Sequence, residues 1–198
     1  MAPTAIALYI VFVALGFGWR SWLQYRRTGS TGFRGISGRP GSLEWLAGVG
    51  FVIAIVTGIA APVLQLVGVL SPVPVLNTPW LQATGTVLAV AGIAATLYSQ
   101  RDMGESWRIG VDAGETTALV RHGVFARVRN PIFTAMLAFA AGITLMTPNP
   151  LALAAFGVLL ATVELQVRVV EEPYLARIHG DSYRQYRRAV GRFLPGVG

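Results

Sequence analysis

The sequence predicts an all-α fold: an integral membrane bundle of about five transmembrane helices with a cytoplasmic C-terminal helical tail. Three observations predict it. Of the 198 residues, 54% are hydrophobic and 13% charged, roughly half the charge of an ordinary soluble domain. No charged side chain occurs in residues 1–19, 45–100 or 131–163, and a spanning helix needs about 20 such apolar residues. All 16 basic residues are arginine, in three blocks: five within 20–44, five within 101–130 and six from 168 onward.

The first span is expected over about 4–23. No basic residue precedes its apolar run and arginines follow it, which argues against a cleaved signal peptide. Residues 24–42 are rich in Gly, Ser and Arg and read as a loop. The uncharged run 45–100 is too long for one span. It suits two, 45–70 and 80–100, broken by Ser71-Pro72-Val73-Pro74-Val75-Leu76-Asn77-Thr78-Pro79. Pro62 should kink the first of them. The fourth span, 131–147, opens on Pro131, whose missing N–H would have been unpaired there anyway, with Asn130 as the expected N-cap. It is short, which implies little tilt or a locally thin bilayer. Thr147-Pro148-Asn149-Pro150 then turns the chain into the fifth span, about 150–170.

Beyond it, His179-Gly180-Asp181-Ser182 reads as a helix stop and a new start. Tyr183, Tyr186, Arg187 and Arg188 follow as a short amphipathic helix. It either lies on the membrane surface or folds back over the mouth of a site. With five spans every arginine block falls on one side, which the positive-inside rule makes cytoplasmic. The N-terminus is then outside and the C-terminus inside.

Composition also excludes. There is no cysteine, hence no disulfide frame, thiolate metal site or cysteine nucleophile. Two histidines, His122 and His179, argue against a histidine metal site, so no metal is expected. A net charge of +7 in a soluble protein would suggest nucleic acid; here the placement of charge points to the membrane bilayer instead. No obligate protein partner is evident.

Chemistry concentrates in 100–133 and 164–195. Arg127 and Arg129 lie just upstream of the helix start at Pro131, an arrangement that suits an anionic ligand group or a lipid phosphate. Glu164, Arg168, Glu171 and Glu172 share one face if the fifth helix is regular. Charges at the membrane edge mark a site or an ion pair that only holds helices together. Trp107 suits the membrane interface, and His122 alone is a weak catalytic signal.

These segments together resemble the isoprenylcysteine carboxyl methyltransferase and phospholipid methyltransferase group of integral membrane enzymes. In that group a Gly-x-(Tyr/Phe) pair precedes Arg-His-Pro-x-Tyr. A Glu-Glu pair, a Gly-x-x-Tyr-x-x-Tyr run and an Arg-x-(Phe/Ile)-Pro close follow. Here Gly123-Val124-Phe125 precedes Arg129-Asn130-Pro131-Ile132-Phe133, followed by Glu171-Glu172, Gly180-Asp181-Ser182-Tyr183-Arg184-Gln185-Tyr186 and Arg192-Phe193-Leu194-Pro195. The stretch from Met103 to Arg108 also looks like bacterial members. Two positions depart: Asn130 stands for the group's histidine and Phe133 for its tyrosine, and Asn cannot carry a proton.

The resemblance implies two functional halves: residues 1–99 as N-terminal transmembrane helices, and 100–198 as the catalytic, cofactor-binding half. It implies S-adenosylmethionine as cofactor, S-adenosylhomocysteine as product, and methyl transfer to a lipophilic small molecule or lipid at the cytoplasmic face of a bacterial-type plasma membrane. Arg129 and Glu172 would carry the chemistry. Cofactor contacts would come from Leu119, Val120, His122, Gly123, Val124, Phe125, Arg129, Asn130, Pro131, Glu171, Glu172, Tyr183 and Tyr186. An NADPH-dependent reductase of the sterol-reductase type is the alternative enzyme, with Arg184, Arg187 and Arg188 for the 2′-phosphate. A non-catalytic membrane scaffold is the alternative without chemistry.

Overall fold

The computed structural model describes residues 1–33, 35–108 and 118–198. The described residues form an all-α bundle of five helices: α1 (Ala2–Thr28), α2 (Leu43–Leu66), α3 (Pro79–Met103), α4 (Pro131–Met146) and α5 (Pro150–Ala189). All but α4 are long and apolar enough to cross a membrane. Helix α4 has 16 residues, a length of about 24 Å at 1.5 Å per residue, short of the ~30 Å hydrocarbon core. A helix therefore stands at each of the five expected spans in order, four of them long enough to cross and the fourth short as anticipated. Helix α2 stops at Leu66 rather than near 70, because Gly68 takes a left-handed φ of 78° just beyond it.

Close packing explains why the short helix stays in place. A Cβ added to Gly142 of α4 would lie 2.5 Å from the backbone of Ala89 and Gly85 on α3. Small residues of this kind let backbones touch, which drives helix association where lipid competes for apolar surface. Helix α1 is tied to α2 by the Tyr9 hydroxyl, which donates to the Ile55 carbonyl at 2.9 Å. Tyr9, Phe12 and Phe139 stack into the main core.

Two helices contain a π-helical turn, at Ala14–Trp19 in α1 and Gln166–Glu171 in α5. Such a turn inserts a residue into the helical repeat and rotates everything after it. The second one corrects the expectation that Glu164, Arg168, Glu171 and Glu172 share a face. Glu164 and Arg168 pair with each other at 2.5 Å on the outside, whereas Glu172 is buried and Glu171 lines an internal cavity.

Three junctions carry further detail, and one of them, at Asn130, departs from expectation. The turn at 147–150 is packed into the bundle: Thr147 and Asn149 are fully buried. Asn149 caps α5 by accepting from the Ala152 N–H at 2.9 Å, and the Val73 N–H donates to the Pro148 carbonyl. The preceding loop thus supplies partners that water would otherwise supply. Asn130 precedes α4 but makes no side-chain cap; its amide donates instead to the Arg192 carbonyl at 3.1 Å. The break at Gly180 is present as one non-helical residue (φ 52°, ψ −124°). Past it the tail folds back onto the bundle, since Tyr183 and Tyr186 are both buried.

Candidate active site

The end of the bundle that carries the 101–130 segment and the tail encloses a cavity of about 300 Å³, at the lower end of the range for ligand pockets. All five helices reach it. Phe12 and Phe17 come from α1, Phe51 and Val52 from α2, Thr96 and Gln100 from α3, Phe133 and Met136 from α4. These make one wall, mostly apolar, to which α2 also contributes Glu44. The other wall is Trp107, Arg108, Leu119, Val120, Phe125 and Asn130, with Glu171, Tyr174, Tyr183 and Tyr186 of α5.

Local sequence sets up that second wall. Gly123 has φ +57°, and a Cβ there would collide with the Asp102 carboxylate. The close approach lets Asp102 Oδ2 accept from the Val124 N–H at 2.9 Å, fixing the 3-10 turn Gly123–Ala126. Phe125 is thereby buried, and its carbonyl accepts from the Tyr186 hydroxyl at 2.6 Å. Trp107 is 3% exposed rather than at an interface, because the Arg20 guanidinium lies 4.7 Å over its ring.

The chain's last nine residues clasp this wall. The Arg129 N–H donates to the Gly191 carbonyl at 2.9 Å and the Asn130 N–H to that of Arg192 at 3.1 Å. Thr134 Oγ1 donates to the Phe193 carbonyl at 2.9 Å. Beneath the clasp, Arg129 Nη1 donates to the carbonyls of Arg187 and Val190, at 2.6 and 2.7 Å. Its Nη2 donates to Glu172 Oε1 at 2.9 Å and to the Gly198 carbonyl at 3.1 Å. Arg192 Nε donates to the same Glu172 oxygen at 2.7 Å. That hydrogen bond to the carboxylate raises the Arg192 guanidinium above its ordinary range. The Arg-Phe-Leu-Pro close is thus a tail anchor, holding Tyr183 and Tyr186 against the cavity.

Of the residues expected to meet a cofactor, Leu119, Val120, Phe125, Arg129, Asn130, Pro131, Glu171, Tyr183 and Tyr186 line the cavity. His122, Gly123, Val124 and Glu172 are outside its lining; His122 is exposed on the surface. Glu172 is occupied by Arg129 and Arg192, so its geometry does not match the expected direct contact with a ligand. Arg129 touches the cavity, but its terminal nitrogens are committed to the tail.

Among the residues that sequence reasoning missed is Arg108, although the Met103–Arg108 stretch drew attention to it. It lines the cavity, lies 5.2 Å over the Tyr174 ring and acts electrostatically on Glu171, which also hydrogen-bonds Gln166. Its buried Nη1 has no hydrogen-bond partner among the described residues. Asp102, Thr96 and Gln100 were missed as well, the last two because nothing in an apolar run marks which polar residue faces inward. No cluster of metal-ligating side chains occurs among the described residues.

Comparison with known proteins bears on this geometry. A family model described as phospholipid methyltransferase matches residues 80–182. Protein-S-isoprenylcysteine O-methyltransferase A of Arabidopsis thaliana is 27% identical over 120 residues, covering 60% of this chain and 61% of that protein. Protein-S-isoprenylcysteine O-methyltransferase of Schizosaccharomyces pombe is 34% identical over 77 residues, 39% of this chain and 33% of that one. The matched region therefore spans no more than about three fifths of either relative. The solved structure of a eukaryotic intramembrane Ras methyltransferase, isoprenylcysteine carboxyl methyltransferase, superposes with a TM-score of 0.65 at 20% identity, over 96% of this chain and 65% of that one. At that identity the likeness speaks to the fold: an integral membrane bundle.

Proposed function

The chain belongs to the phospholipid methyltransferase family, and from that premise we propose that it transfers a methyl group from S-adenosylmethionine to a lipophilic acceptor at the cytoplasmic boundary of the membrane. The observation that carries this reading is the mixed lining of the cavity: apolar side chains of the spanning helices together with Arg108, Glu171 and the tail tyrosines. A lipid reaches such a site from the bilayer and a water-soluble cofactor from the aqueous side. When bound, S-adenosylmethionine supplies a methyl carbon on a sulfonium, a good leaving group, and S-adenosylhomocysteine is the product.

The residues present fit that cofactor, which brings a carboxylate, an amine and a purine. The Arg108 guanidinium lines the cavity and suits the carboxylate. Glu171 is the carboxylate in the same wall and suits the amine. Phe125 and Tyr183 offer aromatic surface, and the backbone near Leu119 and Val120 offers hydrogen bonds to a purine edge. Arg129 and Glu172 act as positioning residues: their pairing anchors the tail that brings Tyr183 and Tyr186 into the wall. Transfer from a sulfonium asks chiefly for alignment, which is worth several orders of magnitude in rate. A wall braced at both ends, by Asp102 and by the tail clasp, supplies it.

The reductase reading draws less support. Arg184, Arg187 and Arg188 do not line the cavity; Arg184 pairs with Asp181 at 2.6 Å on the surface. We also infer from the arginine blocks that the cavity end faces the cytoplasm.

The test is methyl transfer itself. Purified protein in phosphatidylcholine nanodiscs is incubated with methyl-labelled S-adenosylmethionine and a total lipid extract. Label should enter the organic phase with wild-type protein and fall about tenfold with Glu171→Gln at sub-saturating cofactor. Label confined to the aqueous phase would contradict the proposal.

A further inference from the structure

A second, smaller cavity lies further along the bundle. On α2 the lining of the first cavity ends at Val52 and that of the second begins at Ala54. Ile143 of α4 and Ala155 and Leu159 of α5 also line the second, and all three are buried, so it is an internal space and not a groove on the outer face. Its volume is about 40 Å³, several times the ~10–15 Å³ that one water needs. Phe12 and Met136 line both cavities and so form the partition between them. Phe12 is held in place, stacked on Phe139 with ring centroids 4.0 Å apart. Met136 is unbranched and polarisable, which makes it the adaptable half of the partition. From Glu44 in the first lining to Gly58 in the second, α2 climbs about 21 Å at 1.5 Å per residue.

The lining decides what the second cavity holds. Its side-chain hydroxyls belong to Tyr9 and Thr144. Tyr9 donates to the Ile55 carbonyl and Thr144 to the Ala140 carbonyl, each at 2.9 Å. With both hydrogens committed, the described lining offers a polar guest no side-chain donor, and a polar group would enter at a cost. An apolar void weakens a fold in proportion to its volume, and such voids stay dry and take up apolar guests. The end of a hydrocarbon chain meets these conditions; a head group does not.

Building on the methyl-transfer reading of the first cavity, we infer that the acceptor is a single-chain lipophile selected by its length: the chain passes between Phe12 and Met136 and its end fills the second cavity. The space there suits one chain end, about three carbon-sized groups, and excludes the second chain of a diacyl lipid. Met136 admits the chain by changing rotamer while Phe12 stays stacked. One methylene too many or too few in a closed apolar pocket changes affinity about tenfold or more, so the closed end reads length sharply.

The experiment uses the full chain in phosphatidylcholine nanodiscs and, as probes, the saturated primary alcohols from decanol to octadecanol. Apparent affinities come from thermal-unfolding shifts over titrations. Partition of each alcohol into the nanodisc is the same for every variant, so comparison between variants cancels it. Wild-type affinity should rise with chain length to an optimum and then fall. Ala155→Leu replaces a methyl by an isobutyl group in the lining of the second cavity and leaves the first untouched. It should shorten the optimum by about three carbons and weaken binding of the wild-type optimum alcohol about tenfold. Ile143→Val trims the same lining by one methyl group, a mild change for the fold, and should move the optimum to a longer chain; it decides if Ala155→Leu misfolds. Wild-type affinity without an optimum, or an optimum that neither folded variant moves, would overturn the inference. S-adenosylhomocysteine is titrated into the same wild-type sample. Its failure to bind while the optimum shifts as expected would sink the methyl-transfer reading and leave chain recognition standing; its binding beside an unmoved optimum would do the reverse.

Discussion

Glu171 and Glu172 are neighbours in sequence and do different work. The π-helical turn that ends at Glu171 sends one carboxylate into the cavity and the other between Arg129 and Arg192. Glu172→Gln should therefore act on stability. It leaves a buried arginine without its counter-charge, which typically costs about 3–5 kcal/mol, and should appear as a lowered unfolding midpoint. Glu171→Gln should leave unfolding near wild type and weaken S-adenosylhomocysteine binding about tenfold, the loss of one charge-assisted hydrogen bond. Calorimetry and thermal unfolding on the two variants check both halves; equal effects on both readouts would remove the division of labour. The Glu-Glu pair was legible in the sequence, but its split was not. An extra residue per turn leaves no mark in composition or hydrophobic period, so an ideal-helix reading put four charges on one face. Arg108 escaped for a similar reason: its place in the cavity lining and over the Tyr174 ring is set by packing.

At the scale of elements, the bundle is read well from its apolar runs and less well at its junctions. Helix starts at Pro79, Pro131 and Pro150 follow from proline's fixed φ and missing donor. Pro and Asn mark the turn at 147–150 without saying what satisfies its backbone, so its burial is not legible in the sequence. Likewise Asn130 was expected to cap α4, whereas the tail at Arg192 competes for its amide and wins. The tail's backbone pairing with 129–134 joins segments about sixty residues apart, a contact that local pattern does not encode. The glycine contact between α3 and α4 sets a sharp test. Gly142→Leu has no room, since even a Cβ would meet backbone at 2.5 Å. Overpacking of this kind costs about 1–3 kcal/mol or more. The unfolding midpoint should drop, and the short α4 should lose register with α3. Gly157→Leu, where a Cβ meets nothing within 4 Å, should have little effect and serves as the control.

For the whole molecule, the orientation we propose rests on the three arginine blocks. The chain has no cysteine, so single cysteines can be introduced cleanly at Ser71 and Ser182, both exposed. Membrane-impermeant labelling of intact cells should reach position 71 and reach position 182 only after lysis; labelling of both from one face would defeat the orientation. The central claim, however, is that the cavity between the spanning helices and the clasped tail is a site for S-adenosylmethionine. The most direct measurement is a calorimetric titration of the wild-type protein in nanodiscs with S-adenosylhomocysteine, and separately with NADPH. Saturable one-to-one binding of S-adenosylhomocysteine, weakened in Arg108→Ala and absent with NADPH, is the expected result. No heat with S-adenosylhomocysteine, or saturable binding of NADPH in its place, would contradict the account.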